Sequence, residues 1–399
     1  MSKKSPDGPS HPGVKPATRF VTGGRDPQAF HGFVNPPVVH ASTVLYPTVD
    51  DYEARRGRYT YGRRGTPTSE AFAGALAEIE GPQCAGVALL PSGLAAASLA
   101  LQSAVQSGDH VLVTDNVYGP TRKFCDTVLN RSGVTTTYFD PLIGADIAKL
   151  MQPNTRAVYL ESPGSLSFEV QDVPAIAQAA HARGAVVLMD NTWASPLYFR
   201  ALENGVDLAI QSGSKYIGGH SDLMLGVVAA NAATWPQLNH TVFTMGLCVG
   251  PDEMYLGMRG LRTMAVRLAH HYQAGLKVAR WFAQRPQVAQ VLHPALESCP
   301  GHAIWKRDFT GASGLFSIVL KPVPQAAVHA FIDALTLFGI GASWGGFESL
   351  VIPFDCDDVR SATTWSPGGP AVRFHIGLED VDDLIADLER GFAALAAAR

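Results

Sequence analysis

Four short apolar runs constrain this chain more than any other feature. HVLVTD (110–115), TRAVYLES (155–162), AVVLMDN (185–191) and VDLAIQS (206–212) are rich in Val, Leu and Ile and lack strict polar alternation. A strand with one wet face alternates; a run that does not reads as a strand buried on both faces of a parallel sheet. Such a sheet needs helices on both sides, and helical patterns lie between the runs. VPAIAQAAHARG (173–184) has Pro near its start and Gly at its end, the asymmetry of helix termini. The expected class is α/β, with a large, mostly parallel-sheet domain.

At 399 residues the chain exceeds what one compact core usually holds. The texture changes near residue 255. A long helical pattern, YLGMRGLRTMAVRLAHHYQAGLKVARWFA, is expected to be irregular at Gly257 and Gly260. Strand-like GLFSIVL (314–320) and AVRFHIG (371–377) follow, and then helical spacing from Val381 to Leu395. The division expected is an irregular arm over 1–65, an α/β domain over 66–255 and a smaller C-terminal α+β domain over 256–399. The first 16 or so residues, polar and Pro-rich, read as a disordered tail without the apolar core of a signal peptide.

Charge and cysteines narrow the class further. The net charge of −4, without a long basic run, argues against nucleic acid. The most apolar stretch, AGVALLPSGLAAASLALQ, is interrupted by Pro91, Ser92 and Gly93, so no membrane span is expected. The five cysteines (84, 125, 248, 299 and 356) form no CxxC pair and read as reduced, mostly buried thiols of a cytoplasmic protein. His270 and His271 are helix neighbours rather than i, i+4 partners, and no metal site is expected. His220 reads as a structural hydrogen-bonder.

Several candidates fall on one sheet edge. Pro91-Ser92-Gly93 opens an Ala/Leu helix, which is either an ordinary serine N-cap or a phosphate cradle made by free N–H groups. Asp190 ends an apolar run and either caps a helix or pairs with a cofactor ring nitrogen. Tyr118, just past HVLVTD, is a loop tyrosine or a ring-stacking one. Lys215 follows VDLAIQ between Ser212 and Ser214, among glycines. Lysine forms Schiff bases with aldehydes, and its pKa falls readily on desolvation. A pyridoxal-phosphate (PLP) site needs a lysine, a carboxylate, a phosphate cradle and a stacking aromatic together. A nicotinamide dehydrogenase would need a GxGxxG after the first strand, and none is present.

The stretch SGSKYIGGHSDLMLGVV resembles the PLP-lysine signature of the trans-sulfuration (Cys/Met metabolism) enzymes of fold-type I. YGRRGTPT, LESPGS, DNTWASPL, RGLRTMAVR, HPAL, WKRDFTGASGLFS, SWGGFESL and RFHIGLEDVDDLIADL extend the likeness over nearly the whole chain beyond the tail, closest to the family's bacterial cystathionine β-lyase branch. The resemblance implies that Lys215 holds PLP, Asp190 binds the pyridine nitrogen and Tyr118 stacks on the ring. It implies that the N–H groups of Gly93 and Leu94 and the hydroxyls of Ser212 and Ser214 hold the phosphate. Tyr61 and Arg63 match residues that reach a neighbouring subunit's phosphate, which implies self-association, a dimer at least and commonly a homotetramer. Arg373 matches the arginine for the substrate α-carboxylate, and Ser343 and Trp344 line the substrate side.

The expected reaction is β-elimination of L-cystathionine, a small amino-acid substrate, to homocysteine, pyruvate and ammonia, in methionine biosynthesis. Lys215 takes the Cα proton, and Lys215 or Tyr118 protonates the departing sulfur. The alternatives are γ-elimination or γ-replacement on the same scaffold, and a non-catalytic PLP-binding protein. Many γ-acting members carry a glutamate just ahead of the GG stretch; here stand Ala342, Ser343 and Trp344. The β-lyases often have Tyr at the Ala342 position. The methionine γ-lyases carry a cysteine soon after the stacking tyrosine, where this chain has Gly119, Pro120 and Thr121. The acidic run from Glu379 to Asp383 reads as the solvated first turn of the last helix.

Overall fold

A computed structural model describes residues 14–398. The tail expected to be disordered lies largely outside the described residues. Two sheets organise the chain. The large one contains β1 (Gly86–Leu90), β2 (His110–Thr114), β3 (Thr135–Phe139), β4 (Thr155–Glu161), β5 (Val186–Asp190), β6 (Leu208–Ser212) and β7 (Gly226–Ala230), in the order β1-β7-β6-β5-β4-β2-β3. The five strands from β6 to β3 are parallel; β7 runs antiparallel to both β6 and β1. All four apolar runs are strands of this parallel set. β2 is buried along its whole length, as its unbroken apolar sequence requires.

The small sheet contains β8 (Val288–Leu292), β9 (Leu315–Leu320), β10 (Gly339–Ile340), β11 (Leu350–Phe354) and β12 (Ala371–His375), ordered β10-β11-β12-β9-β8. Only the β10–β11 pair is parallel. Helices Gln325–Asp333 and Val381–Ala397 cover it, and Phe331, Phe374 and Phe392 meet in its core. Glu379 departs from the expected solvated turn. It precedes the last helix and accepts from Ser349 N and Oγ, both at 2.8 Å, while Asp380 is the N-cap. A loop with unmet donors claimed a carboxylate that sequence alone assigned to water.

The helix Pro251–Ala283 joins the two halves. Met258, Leu261, Met264 and Leu268 pack in the core of the large sheet, whereas Ala274, Val278 and Phe282 pack in the core of the small one. The expected boundary at 255/256 falls inside this helix. The helix is also unbroken at Gly257 and Gly260, where irregularity was expected. Its glycines serve contact instead: a Cβ on Gly260 would stand 2.2 Å from the carbonyl oxygens of both Ile217 and Gly218. The helix therefore lies directly against the turn that carries Lys215. Arg267 on the same helix donates to Tyr216 O at 2.8 Å, from a buried position.

Further ties cross between the sheets. Trp193 Nε1 donates to Leu315 O at 3.0 Å, and Ser317 Oγ to Leu166 O at 2.7 Å. The arm docks at its start: Phe20 is buried in the large core, and Arg262 Nη1 donates to Gly23 O at 2.7 Å. All five cysteines are free; Cys125, Cys299 and Cys356 are buried, and Cys248 is exposed. Among the described residues no helix is long and apolar enough to cross a membrane.

Alanine is the better helix former, yet the Gly260→Ala protein should unfold more easily. Forcing a methyl onto two carbonyls costs about 1–3 kcal/mol, more than the helix preference returns. Thermal denaturation of the variant checks this, and a stability equal to the parent's would refute the close approach.

Candidate active site

The carboxyl ends of the parallel strands lie side by side, and the turn that follows β6 meets the loop 341–350 of the small sheet's half. Lys215 stands there on a tight turn: its N–H donates to Ser212 O at 3.1 Å, and Gly219 N donates to Lys215 O at 2.7 Å. Gly345, at φ +87°, would place a Cβ only 3.1–3.2 Å from Lys215 backbone and Cβ atoms, so glycine is required there on both conformational and steric grounds. The Lys215 amine donates to Ser343 Oγ at 2.5 Å and lies 5.6 Å from the Trp344 ring centroid. Burial, with the neighbouring Arg373 cation, lowers the amine from its ordinary 10.5 to about 8, against the opposing pull of Asp190. A lysine poised near neutrality can serve as both nucleophile and base.

Asp190 ends β5 but caps no helix. The next helix, Ser195–Tyr198, has Ala194 at its N-cap position and no side-chain cap. Asp190 Oδ1 instead accepts from Thr192 N at 2.9 Å and Thr192 Oγ1 at 2.5 Å. Burial raises the Asp190 carboxyl above its usual range, with Thr192 and Lys215 pulling the other way. Thr192 Oγ1 in turn accepts from Ser212 N at 2.8 Å, which knits the end of β5 to the end of β6. Sequence reasoning missed Thr192, although it lies two residues past Asp190 in DNTWASPL. It missed Glu161 as well. Glu161 is the register partner of Asp190, and its Oε2 accepts from Tyr118 N at 2.7 Å. Burial, and after it Asp190, pushes the Glu161 carboxyl far up.

The helix Gly93–Ala104 starts beside Ser212. Ser92 Oγ accepts from Ala95 N at 3.1 Å, and the first helical N–H groups, those of Gly93 and Leu94, remain as donors at the helix start. A Cβ on Gly93 would fall 2.5 Å from Ser212 Cβ and Oγ, so only glycine leaves the helix end open against that hydroxyl. The serine N-cap expected for this turn is present. Ser214 differs: its hydroxyl accepts from Leu225 N at 2.9 Å and donates to Leu225 O at 3.3 Å.

Tyr118 is 46% exposed, its ring free at the mouth. Burial raises its hydroxyl's pKa, as do Glu161 and Asp190, with Arg373 opposing. Arg373, on β12, donates from Nη2 to Ser343 O at 2.9 Å, and burial lowers it to about 10. Ser343 therefore bonds both cations, with Oγ on Lys215 and its carbonyl on Arg373, from a left-handed φ of 86°. Such a conformation in a non-glycine residue costs about 1–3 kcal/mol and is typical of functional sites. Tyr61 and Arg63 lie apart. Tyr61 OH accepts from Ser42 Oγ at 3.4 Å, and Arg63 Nη1 donates to Phe243 O at 2.8 Å, so neither meets Lys215 within this chain. His220 Nδ1 is 2.8 Å from Gly218 O, a local turn contact.

The donor set suits PLP. A nucleophilic amine, a carboxylate withdrawn from water, an exposed tyrosine ring and a glycine-opened helix start beside a serine supply a partner for the aldehyde, the ring nitrogen, the ring face and the phosphate in turn. Lys215, Asp190, Tyr118, and Gly93 with Leu94 and Ser212 would hold those four parts.

Comparison with known proteins agrees in kind. The family model for the Cys/Met metabolism PLP-dependent enzyme matches residues 17–393. A putative cystathionine beta-lyase of Rhizobium johnstonii is 53% identical over 384 residues, 95% of this chain and 96% of the relative. The cystathionine beta-lyase of Salmonella typhimurium is 47% identical over 389 residues, 95% of this chain and 98% of that one. The crystal structure of cystathionine gamma synthase from Xanthomonas oryzae pv. oryzae superposes with a TM-score of 0.88 at 31% identity, covering 97% of this chain and 100% of its own.

In the cofactor-free protein Lys215 should react with an amine-acylating reagent far more readily than surface lysines. The rate should rise as Nζ loses its proton near pH 8, where an ordinary lysine titrates near 10.5. Peptide mapping of the labelled protein across pH checks this; a midpoint at the ordinary value would contradict it.

Proposed function

The chain belongs to the family of Cys/Met metabolism PLP-dependent enzymes, and on that premise we propose that it is a carbon–sulfur lyase that cleaves the Cβ–S bond of L-cystathionine. The observation that carries this reading is the position of the Lys215 amine, between Asp190 of the large sheet and the Ser343–Arg373 pair of the small sheet's half. The names of the relatives that are about half identical to it support the choice of substrate. The Trp344-Gly345-Gly346 stretch, with no glutamate at 342–344, supports β- over γ-elimination.

PLP, when bound, supplies an electron sink that makes the substrate Cα–H acidic. The residues then divide the work. Arg373 binds the substrate α-carboxylate, a task for which its planar fork is suited. Lys215 Nζ takes the Cα proton, and a general base so placed contributes about 10²–10⁴-fold. Asp190 supplies negative charge for the pyridine N–H. A proton from Lys215 Nζ or Tyr118 OH reaches the departing sulfur and homocysteine leaves; one water then hydrolyses the released three-carbon enamine to pyruvate and ammonia.

We assign the phosphate to the N–H groups of Gly93 and Leu94 and the hydroxyls of Ser212 and Ser214. Tyr61 and Arg63 bond Ser42 and Phe243 within this chain rather than Lys215, which supports assigning them to a neighbouring subunit's site and hence a dimer or a homotetramer. We further read the protein as a cytoplasmic enzyme of methionine biosynthesis. We divide it into an arm (1–65), a cofactor-holding unit (66–255) and a C-terminal unit (256–399).

The test is the keto acid formed from L-cystathionine. Pyruvate with homocysteine is expected, and 2-oxobutyrate with cysteine would mean γ-elimination. Lys215→Ala should abolish turnover with the fold intact by circular dichroism; full activity in that variant would overturn the assignment.

A further inference from the structure

A second cluster of charge lies between the sheets, away from the amine. Asp115, 1% exposed, follows β2 and stands three residues before Tyr118. Arg122, 8% exposed, stands four residues after it and donates from Nη2 to Asp115 Oδ1 at 2.5 Å. The pair closes the segment that carries Tyr118 into a loop. The same carboxylate is gripped from the other half of the molecule. Ser361 N (3.0 Å), Ala362 N (3.0 Å) and Thr363 N (2.7 Å) all donate to it, and Thr363 Oγ1 adds a bond at 2.7 Å. Three successive backbone N–H groups on one carboxylate make a nest for an anion. Burial opposes the charge on Asp115, and the bonds from Ser361, Thr363 and Arg122 outweigh it, so the carboxyl stays below its ordinary range.

A second tie lies beside the first. Arg360 donates to Glu169 Oε1 at 2.9 Å, and Glu169 Oε2 accepts from Asn116 Nδ2 at 3.1 Å. The gripping segment is the connection from β11 to β12, and β12 carries Arg373. Arg373 and the Tyr118–Lys215 side of the cleft thus stand on different sheets, and this segment joins them.

We infer that Asp115 is a positioning residue of the reaction: its grip on residues 361–363 sets where Arg373 holds the substrate carboxylate relative to Tyr118 and Lys215. The inference rests on the PLP lyase reading above. None of the residues assigned to the cofactor lies in residues 361–363, so cofactor binding does not depend on that side of the tie. Placement of the α-carboxylate does, because groups on separate elements must be held within a fraction of an ångström for proton abstraction.

The experiment compares two small ligands of the PLP-loaded enzyme, L-alanine and ethylamine, which differ only in the carboxylate. Binding is read from the visible absorbance of the cofactor. Asp115→Asn removes the charge, and Thr363→Val removes one hydroxyl from a surface segment with little risk to the fold. Hydrogen bonds to charged groups support an expected loss of about tenfold in L-alanine affinity for the first variant, with the second smaller in the same direction. KM for L-cystathionine should rise in parallel, with ethylamine binding and cofactor content unchanged. Unchanged L-alanine binding in both variants, or equal weakening of both ligands, would overturn the inference; the latter would mark a purely structural residue. Failure of the lyase reading looks different: the parent protein itself would then form no visible band or no pyruvate.

Discussion

A lysine amine withdrawn from water is the constraint around which the rest is arranged. Desolvation alone favours the neutral form, and Arg373 adds repulsion, so Lys215 is held near neutrality only if nothing nearby restores full solvation. The Trp344 ring stands 5.6 Å from the amine, and Gly345 can approach the Lys215 backbone only because it has no side chain. The turn beneath is fixed by Arg267 and by the helix approach at Gly260. Arg267 and Gly260 lie outside the chemistry, yet they hold the turn on which that nitrogen stands.

The division of labour between the two sheets follows. Strand ends of the large sheet present Asp190, Ser212 and the helix start at Gly93, all rigid and suited to a permanently held group. The small sheet presents Arg373 and the loop with Ser343 and Trp344, suited to a group that comes and goes. Thr192 and Glu161 brace the first set, and the strained backbone of Ser343 ties the second to the first. Glu161 and Asp190 put two carboxylates at adjacent strand ends, where burial and then the neighbouring carboxylate push the Glu161 carboxyl up.

Much of this was legible in the sequence. The parallel strands announced themselves because burial on both faces leaves an uninterrupted apolar run, and the lysine was conspicuous among small residues. What escaped detection shares one cause: it depends on neighbours distant in sequence. Gly257 and Gly260 read as helix irregularities because what they admit is distant in sequence, the Phe72 and Leu225 side chains for Gly257 and the turn at Ile217 and Gly218 for Gly260. Glu379 read as solvated because its partner Ser349 belongs to another strand's approach. The tie of Ser214 to Leu225, and the role of Thr192 as a bridge, follow from strand adjacency rather than from spacing. The residues quoted as a site were thus found one by one, while their bracing became visible only in three dimensions.

The strand order has a consequence for biogenesis. β1 is made first, yet its sheet partner is β7, the last strand of that sheet. As the chain leaves the ribosome, an apolar strand edge waits unpaired until residues 226–230 emerge and Lys215 has already been made. Non-local pairings of this kind form late and leave sticky intermediates exposed. The large sheet's share of the site, which ends with Lys215, and protection of that edge therefore come within a few residues of each other, so a nascent chain cut short before β7 would keep an exposed edge and would be a natural client of chaperones.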